Sequence, residues 1–168
     1  MKTQFKGMEV QLTAELPKVG TIAPDFRFVT TDLQTENLYS LLGKVKMILT
    51  APSVDTGVCA KEAKLFNEKM QNLKNLTVLF VTMDLPFALK RFCLAEGIEN
   101  LKIGSDFRFS EVGQKYGVKL KNTPLEALLA RAVWVLNEKN EIVYTELVPE
   151  ITQEPDYQKA FEVIERLA

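Results

Sequence analysis

The chain has 168 residues, 46% of them hydrophobic and 26% charged, with no histidine and two cysteines, Cys59 and Cys93. That size and apolar content suit one buried core, so a single domain over residues 1–168 is expected. Without an imidazole there is no Ser-His-Asp triad, no Cys-His pair and no His-containing zinc or iron site, and the 21 basic against 22 acidic residues argue against a nucleic-acid surface or a polybasic membrane patch.

Met1–Gly7 has no apolar segment followed by a small-residue cleavage site, and no stretch approaches the roughly eighteen apolar residues of a membrane span. A soluble, cytoplasmic protein is expected, one whose two cysteines join only transiently, since that compartment keeps thiols reduced.

Apolar residues at positions 8, 10, 12, 14 and 16 predict a half-buried strand over Met8–Leu16, closed by Pro17 and Gly20. Ala23–Val29 reads as a short extended piece. Val45–Thr50 is a near-continuous apolar run bounded by Gly43 and Pro52, which suits a strand covered on both faces. From Thr56 the apolar spacing becomes helical, with Lys61, Glu62, Lys64, Glu68 and Lys69 as the polar face. Leu76–Met83 is a second central strand. Asp84 is the expected cap and Pro86 the first turn of a second helix, which carries Cys93 and ends at Gly97.

A helical stretch is expected from Ser105-Asp106 to Tyr116-Gly117. Arg131–Leu136 and Glu141–Leu147 then form an antiparallel hairpin around Asn137–Asn140, and Asp156–Leu167 makes a terminal amphipathic helix. Strands alternating with helices, then a hairpin and a last helix, predict an α/β, thioredoxin-like fold with a mixed sheet and an amino-terminal β extension.

Charge is uneven. Residues 60–92 hold six basic and three acidic residues around the cysteines, while residues 137–168 hold eight acidic and three basic. Cys59 falls in the opening turn of its helix, where free N–H groups and the helix dipole favour an anion, so a depressed thiol pKa is expected. A drop from about 8.5 to about 6 needs roughly 3.4 kcal/mol of preferential thiolate stabilisation. The dipole supplies only about 0.3–1 kcal/mol, so at least one full positive charge must stand beside the sulfur.

Individually these residues have ordinary explanations: Thr56 as an N-cap, Pro52 as a strand terminator, Cys59 as a small buried hydrophobe. Together, Pro52-Ser-Val-Asp-Thr56-Gly-Val-Cys59 has the Pro-x-x-x-Thr-x-x-Cys spacing, and Met83–Cys93, Ser105–Arg108, Leu129–Val133 and Glu146–Pro155 follow in order. This set resembles the peroxiredoxins, and within them the thiol peroxidase subfamily, the atypical 2-Cys group. The resemblance runs from about Gly20 to the last helix.

The resemblance implies a peroxidase that reduces hydrogen peroxide and alkyl hydroperoxides with thioredoxin as reductant, working as a homodimer without a cofactor or metal. It makes Cys59 the peroxidatic cysteine, which becomes a sulfenic acid, and Cys93 the resolving cysteine that condenses with it. Thr56 would position the peroxide, Pro52 would shield the pocket from water, and Arg131 would supply the missing charge. A disulfide needs Cα atoms within about 7 Å, so partial unwinding of both helices is expected, eased by Gly57 and Gly97. Phe26, Phe28, Phe87 and Leu128 would either admit an alkyl group or pack the core. Ala127 stands where the subfamily usually has Gly.

A thioredoxin-type dithiol enzyme would need Cys-x-x-Cys, and Thr56 occupies its first position. Two thiols without histidine make a poor zinc site. The remaining alternative is a non-catalytic thioredoxin-like domain for redox sensing or binding.

Overall fold

Val45–Thr50 (β5) is buried at all six positions, as a continuous apolar run requires. In the computed structural model, which describes residues 1–167 and leaves the Met70 side chain aside, β5 pairs in parallel with β6 (Leu76–Thr82) and antiparallel with β9 (Ala132–Leu136). Strand β6 continues to β7 (Lys102–Ser105), and β9 pairs with β10 (Ile142–Leu147). With β3 (Arg27–Thr30) and β4 (Thr35–Asn37) the mixed sheet runs β10-β9-β5-β6-β7-β3-β4. Strands β5 and β6 therefore end at the same edge, where parallel strands present ligand sites.

Side chains alternate across this sheet into two apolar layers. Ile48 and Trp134 join Phe26, Phe28 and Tyr116 on one face. Met47, Leu49, Val133 and Val135 meet Phe66 of α1 (Gly57–Met70), Leu89 and Phe92 of α2 (Pro86–Glu96) and Ile164 of α4 (Tyr157–Leu167) on the other. Phe26 and Phe28 thus serve the core, where each is almost wholly buried.

The amino-terminal extension is a hairpin, β1 (Lys2–Phe5) and β2 (Met8–Leu12), extended by β8 (Leu120–Lys121). Lys6 and Gly7 both have positive φ, 51° and 79°, the geometry that joins strands with matching twist. The strand expected to reach Leu16 stops at Leu12 because its partner β8 begins at Leu120, opposite Leu12. The expected helix after Ser105 contracts to α3 (Glu111–Lys115), since the Asp106 carboxylate takes the Val112 and Gly113 N–H groups at 3.0 and 2.9 Å. Asp84 does not cap α2: the N-cap is Leu85, and Asp84 turns to the loop after β5.

Gly97 ends α2 in the left-handed conformation at φ 66°, as its position after the helix predicts. Ala127 also has positive φ, 70°. An alanine there carries about 1–2 kcal/mol of backbone strain, partly offset by the smaller unfolded-state freedom it has than glycine. Ala127→Gly is therefore expected to raise the unfolding free energy by about 0.5–1 kcal/mol, and a lower denaturant midpoint for the variant would refute the strain.

Candidate active site

Strand β5 delivers the chain to Pro52, and the loop that follows is stapled by one carboxylate. Asp84 accepts from Ser53 Oγ at 2.8 Å and from the Val54 N–H at 2.9 Å, and also from the Thr82 hydroxyl at 2.8 Å. The loop feeds α1 through Thr56, which is extended at φ −85° and ψ 144°; its Oγ1 accepts the Cys59 N–H at 3.3 Å and donates to the Ser53 carbonyl at 3.2 Å. Thr56 is thus the helix cap, and Cys59 the third residue of α1, wholly buried.

Arg131 arrives from another part of the chain. Ala132 of β9 lies opposite Thr50 of β5, so Arg131 stands beside the loop. It is 1% exposed and held at three points: Nε donates to the Ile151 carbonyl at 2.9 Å, while Nη1 donates to Cys59 Sγ at 3.2 Å and to Glu62 Oε2 at 2.9 Å. Cys59, Thr56 and Arg131 therefore meet. Pro52 joins Thr56 and Arg131 on the wall of a cavity of about 410 Å³, whose remaining surface is mainly apolar, from Phe5, Val58, Leu125, Leu128 and Ile151. Cys93 lies elsewhere, half-buried on α2 but packed against the same apolar layer as Cys59; both are free thiols. Of the expected aromatic and apolar set, only Leu128 lines the cavity.

Glu62 is the residue that periodicity missed. Read as part of a solvated helix face, it is instead fully buried, three residues after Cys59 and on the same side of α1. Its i+3 spacing from the cysteine was the available signal. Burial drives its carboxyl up to about 7 against the pull of Arg131, with Glu154 and Glu146 adding to the rise. The electrostatics at Cys59 differ from expectation in direction. Burial raises the thiol above its ordinary value, Arg131 and Thr56 draw it down, and Glu62 pushes it further up. The required full charge is present, but a carboxylate already claims it. Burial raises the Cys93 thiol as well. Among the described residues no group of three or more His, Cys, Asp or Glu could hold a metal ion, and no helix is long and apolar enough to cross a membrane.

Residues 18–161 match the Redoxin family model. The chain is 45% identical to the thiol peroxidase of Leptospira interrogans over 95% of its own length and 94% of that protein's. It is 46% identical to that of Corynebacterium glutamicum over 95% and 96%. The chain belongs to the redoxin family, as a peroxiredoxin of the thiol peroxidase type. Its fold superposes on a peroxiredoxin-like protein from Aquifex aeolicus with a TM-score of 0.94 at 41% identity, covering 99% of this chain and 97% of that one. A thiol peroxidase from Chromobacterium violaceum shares the fold at a TM-score of 0.88 and 20% identity, over 99% and 96%. The thioredoxin-like mixed sheet with an amino-terminal β extension is thereby established for this enzyme.

The raised Glu62 carboxyl has a consequence for the stability of the peroxiredoxin. Between its unfolded value near 4.5 and about 7 the native state binds the extra proton, so this group's contribution to stability falls as pH rises through that window. Measured by denaturant unfolding, wild type is expected to lose up to ~3 kcal/mol relative to Glu62→Gln between pH 4.5 and 7.5. Parallel stability curves for the two proteins would contradict it.

Proposed function

We propose that Cys59 is the peroxidatic cysteine of this peroxide-reducing enzyme and Cys93 its resolving partner. The observation that carries the reading is the 3.2 Å contact from Arg131 Nη1 to Cys59 Sγ, made by an arginine that lines the same cavity as Thr56 and Pro52. A guanidinium stays charged and offers further donors, so it serves both the thiolate and the oxygens of a bound peroxide. The Thr56 hydroxyl positions the peroxide, and Pro52 keeps water from the sulfur.

In the first step the sulfur electron pair attacks one peroxide oxygen and the O–O bond breaks. The departing oxygen takes a proton as alcohol or water, and Cys59 is left as a sulfenic acid. The Cys93 thiolate then attacks Cys59 Sγ, water leaves, and an intrasubunit Cys59–Cys93 disulfide forms. Two electrons from thioredoxin restore both thiols. The two cysteines sit on separate helices, α1 and α2, so bonding requires the opening turns around Gly57 and the end of α2 at Gly97 to unwind.

The apolar cavity favours organic hydroperoxides over hydrogen peroxide, because an alkyl group gains from burial where a second hydroxyl would lose its water. Leu85, Phe87 and Phe107 are 47%, 70% and 60% exposed and support a homodimer, since such a patch calls for a cover. A reducing, cytoplasmic compartment fits two thiols that must return to the free state each cycle.

Peroxide consumption with a thioredoxin system tests the roles. Cys59→Ser is expected to abolish turnover, and Cys93→Ser to lose it with thioredoxin yet recover it with dithiothreitol; full activity in Cys59→Ser would end the assignment. Oxidised wild type should be two hydrogens lighter, with faster amide exchange in α1 and α2 than the reduced form. For the substrate, Leu128→Ser should lower kcat/KM for an organic hydroperoxide about tenfold more than for hydrogen peroxide. Equal losses for the two substrates would count against apolar recognition.

A further inference from the structure

Glu62 has no part in the steps above, yet it touches the same nitrogen as the nucleophile. Arg131 Nη1 donates to Cys59 Sγ at 3.2 Å and to Glu62 Oε2 at 2.9 Å, and the anchor from Nε to the Ile151 carbonyl prevents the guanidinium from following either partner. One fixed positive charge thus faces two acids in a site where all three residues are at most 1% exposed. If both acids ionise, a net negative charge is buried without compensation; if one ionises, the site is neutral. The second carboxylate oxygen, Glu62 Oε1, is buried and has no hydrogen-bond partner.

We propose that Glu62 and Cys59 share a single proton against the charge of Arg131, so that Glu62 does the work a histidine base would do in a chain that has none. The proposal rests on the reading of Cys59 as the nucleophile and deepens it. In the step, the Cys59 S–H bond breaks, the electron pair stays on sulfur, and the proton ends on Glu62 Oε1; nothing is oxidised or reduced. The coupling is one of equilibrium, so exchange through solvent suffices. Glu62 does not touch the reacting atoms and is a positioning residue that sets the charge Arg131 offers.

The remaining groups that face Glu62 are Glu146 of β10, Glu154 before α4 and Tyr157 of α4. The two carboxylates favour its protonated form. The Tyr157 hydroxyl is itself held neutral by burial and by Glu62 and Glu154. Burial brings the Glu62 carboxyl to about 7, within the ordinary histidine range, and lifts the thiol in the same direction, so the two titrate as a pair. With Glu62 neutral, the whole Arg131 charge belongs to the thiolate.

The test needs no peroxide, so it separates from the peroxidase reading. In a Cys93→Ser background Cys59 is the sole thiol, and its ionisation is read from thiolate absorbance and from the rate of alkylation by iodoacetamide against pH. Adding Glu62→Gln is expected to move the midpoint down by about one unit or more, with about tenfold faster alkylation below it. Glu62→Leu should do the same, and Glu62→Asp should restore a profile close to the parent. An unchanged or raised midpoint in folded Gln and Leu variants overturns the proposal. Should neither fold, oxidation of Cys59 to a sulfinate fixes a negative charge there with Glu62 intact. The carboxyl that titrates near neutral pH in the infrared must then move up, and a fixed midpoint overturns it equally.

Discussion

The site depends on one buried guanidinium and on who owns its charge. Arg131 is held by the register of the sheet: Ala132 pairs with Thr50, the Arg131 carbonyl accepts the Val148 N–H at 3.0 Å, and Nε is fixed to Ile151. Such a charge is costly without an anion at hand. The Glu62 carboxylate lies 2.9 Å from Nη1 and can meet that need when Cys59 is protonated; in the proposed pairing ionised Cys59 takes its place. On the proposed pairing the charge beside the sulfur is compensated in either state, and the fold is spared an unpaired arginine in its core.

Asp84 performs the matching task for the backbone. Strands β5 and β6 are parallel neighbours whose following loops emerge at one edge, and Asp84 belongs to the second loop while bonding Ser53 and Val54 of the first. Its own carbonyl accepts from the Ser105 hydroxyl at 2.6 Å, which adds the end of β7. Two residues later α2 begins, carrying Cys93. The opening of the Cys59 helix and the approach to the Cys93 helix are therefore joined through a single side chain, on which the proposed disulfide would act from both ends.

Much of this was legible in the chain. The run Val45–Thr50 fixed β5 to the residue and the switch to helical spacing at Thr56 fixed the start of α1, because uninterrupted burial and a capped amphipathic helix are local patterns. The Pro52, Thr56, Cys59 and Arg131 set follows from the motif; Pro52, Thr56 and Arg131 line one cavity, and the buried Cys59 meets that group through its contacts with Arg131 and Thr56. Asp84 was misread because Asp before Leu-Pro looks like a helix cap, and only the tertiary neighbour Val54 reveals its other use. The hairpin turn at Lys6-Gly7 was missed because lysine does not advertise a positive φ. Glu62 was missed for the deepest reason: between Lys61 and Lys64 it follows the pattern of a solvated face, and its burial is decided by an arginine 69 positions away.

The lack of histidine then acquires a physical sense. An imidazole titrates near neutrality by its own chemistry, whereas a carboxylate reaches that range only through desolvation. Desolvation also raises a thiol, and so works against a thiolate that it surrounds. The two effects stop opposing each other once both groups face one guanidinium, because the burial that penalises a second anion favours moving the proton to the carboxylate when the sulfur is charged. Dryness, which would silence an isolated cysteine, becomes the condition under which Arg131 and Glu62 tie the charge of Cys59 to the presence of a single proton.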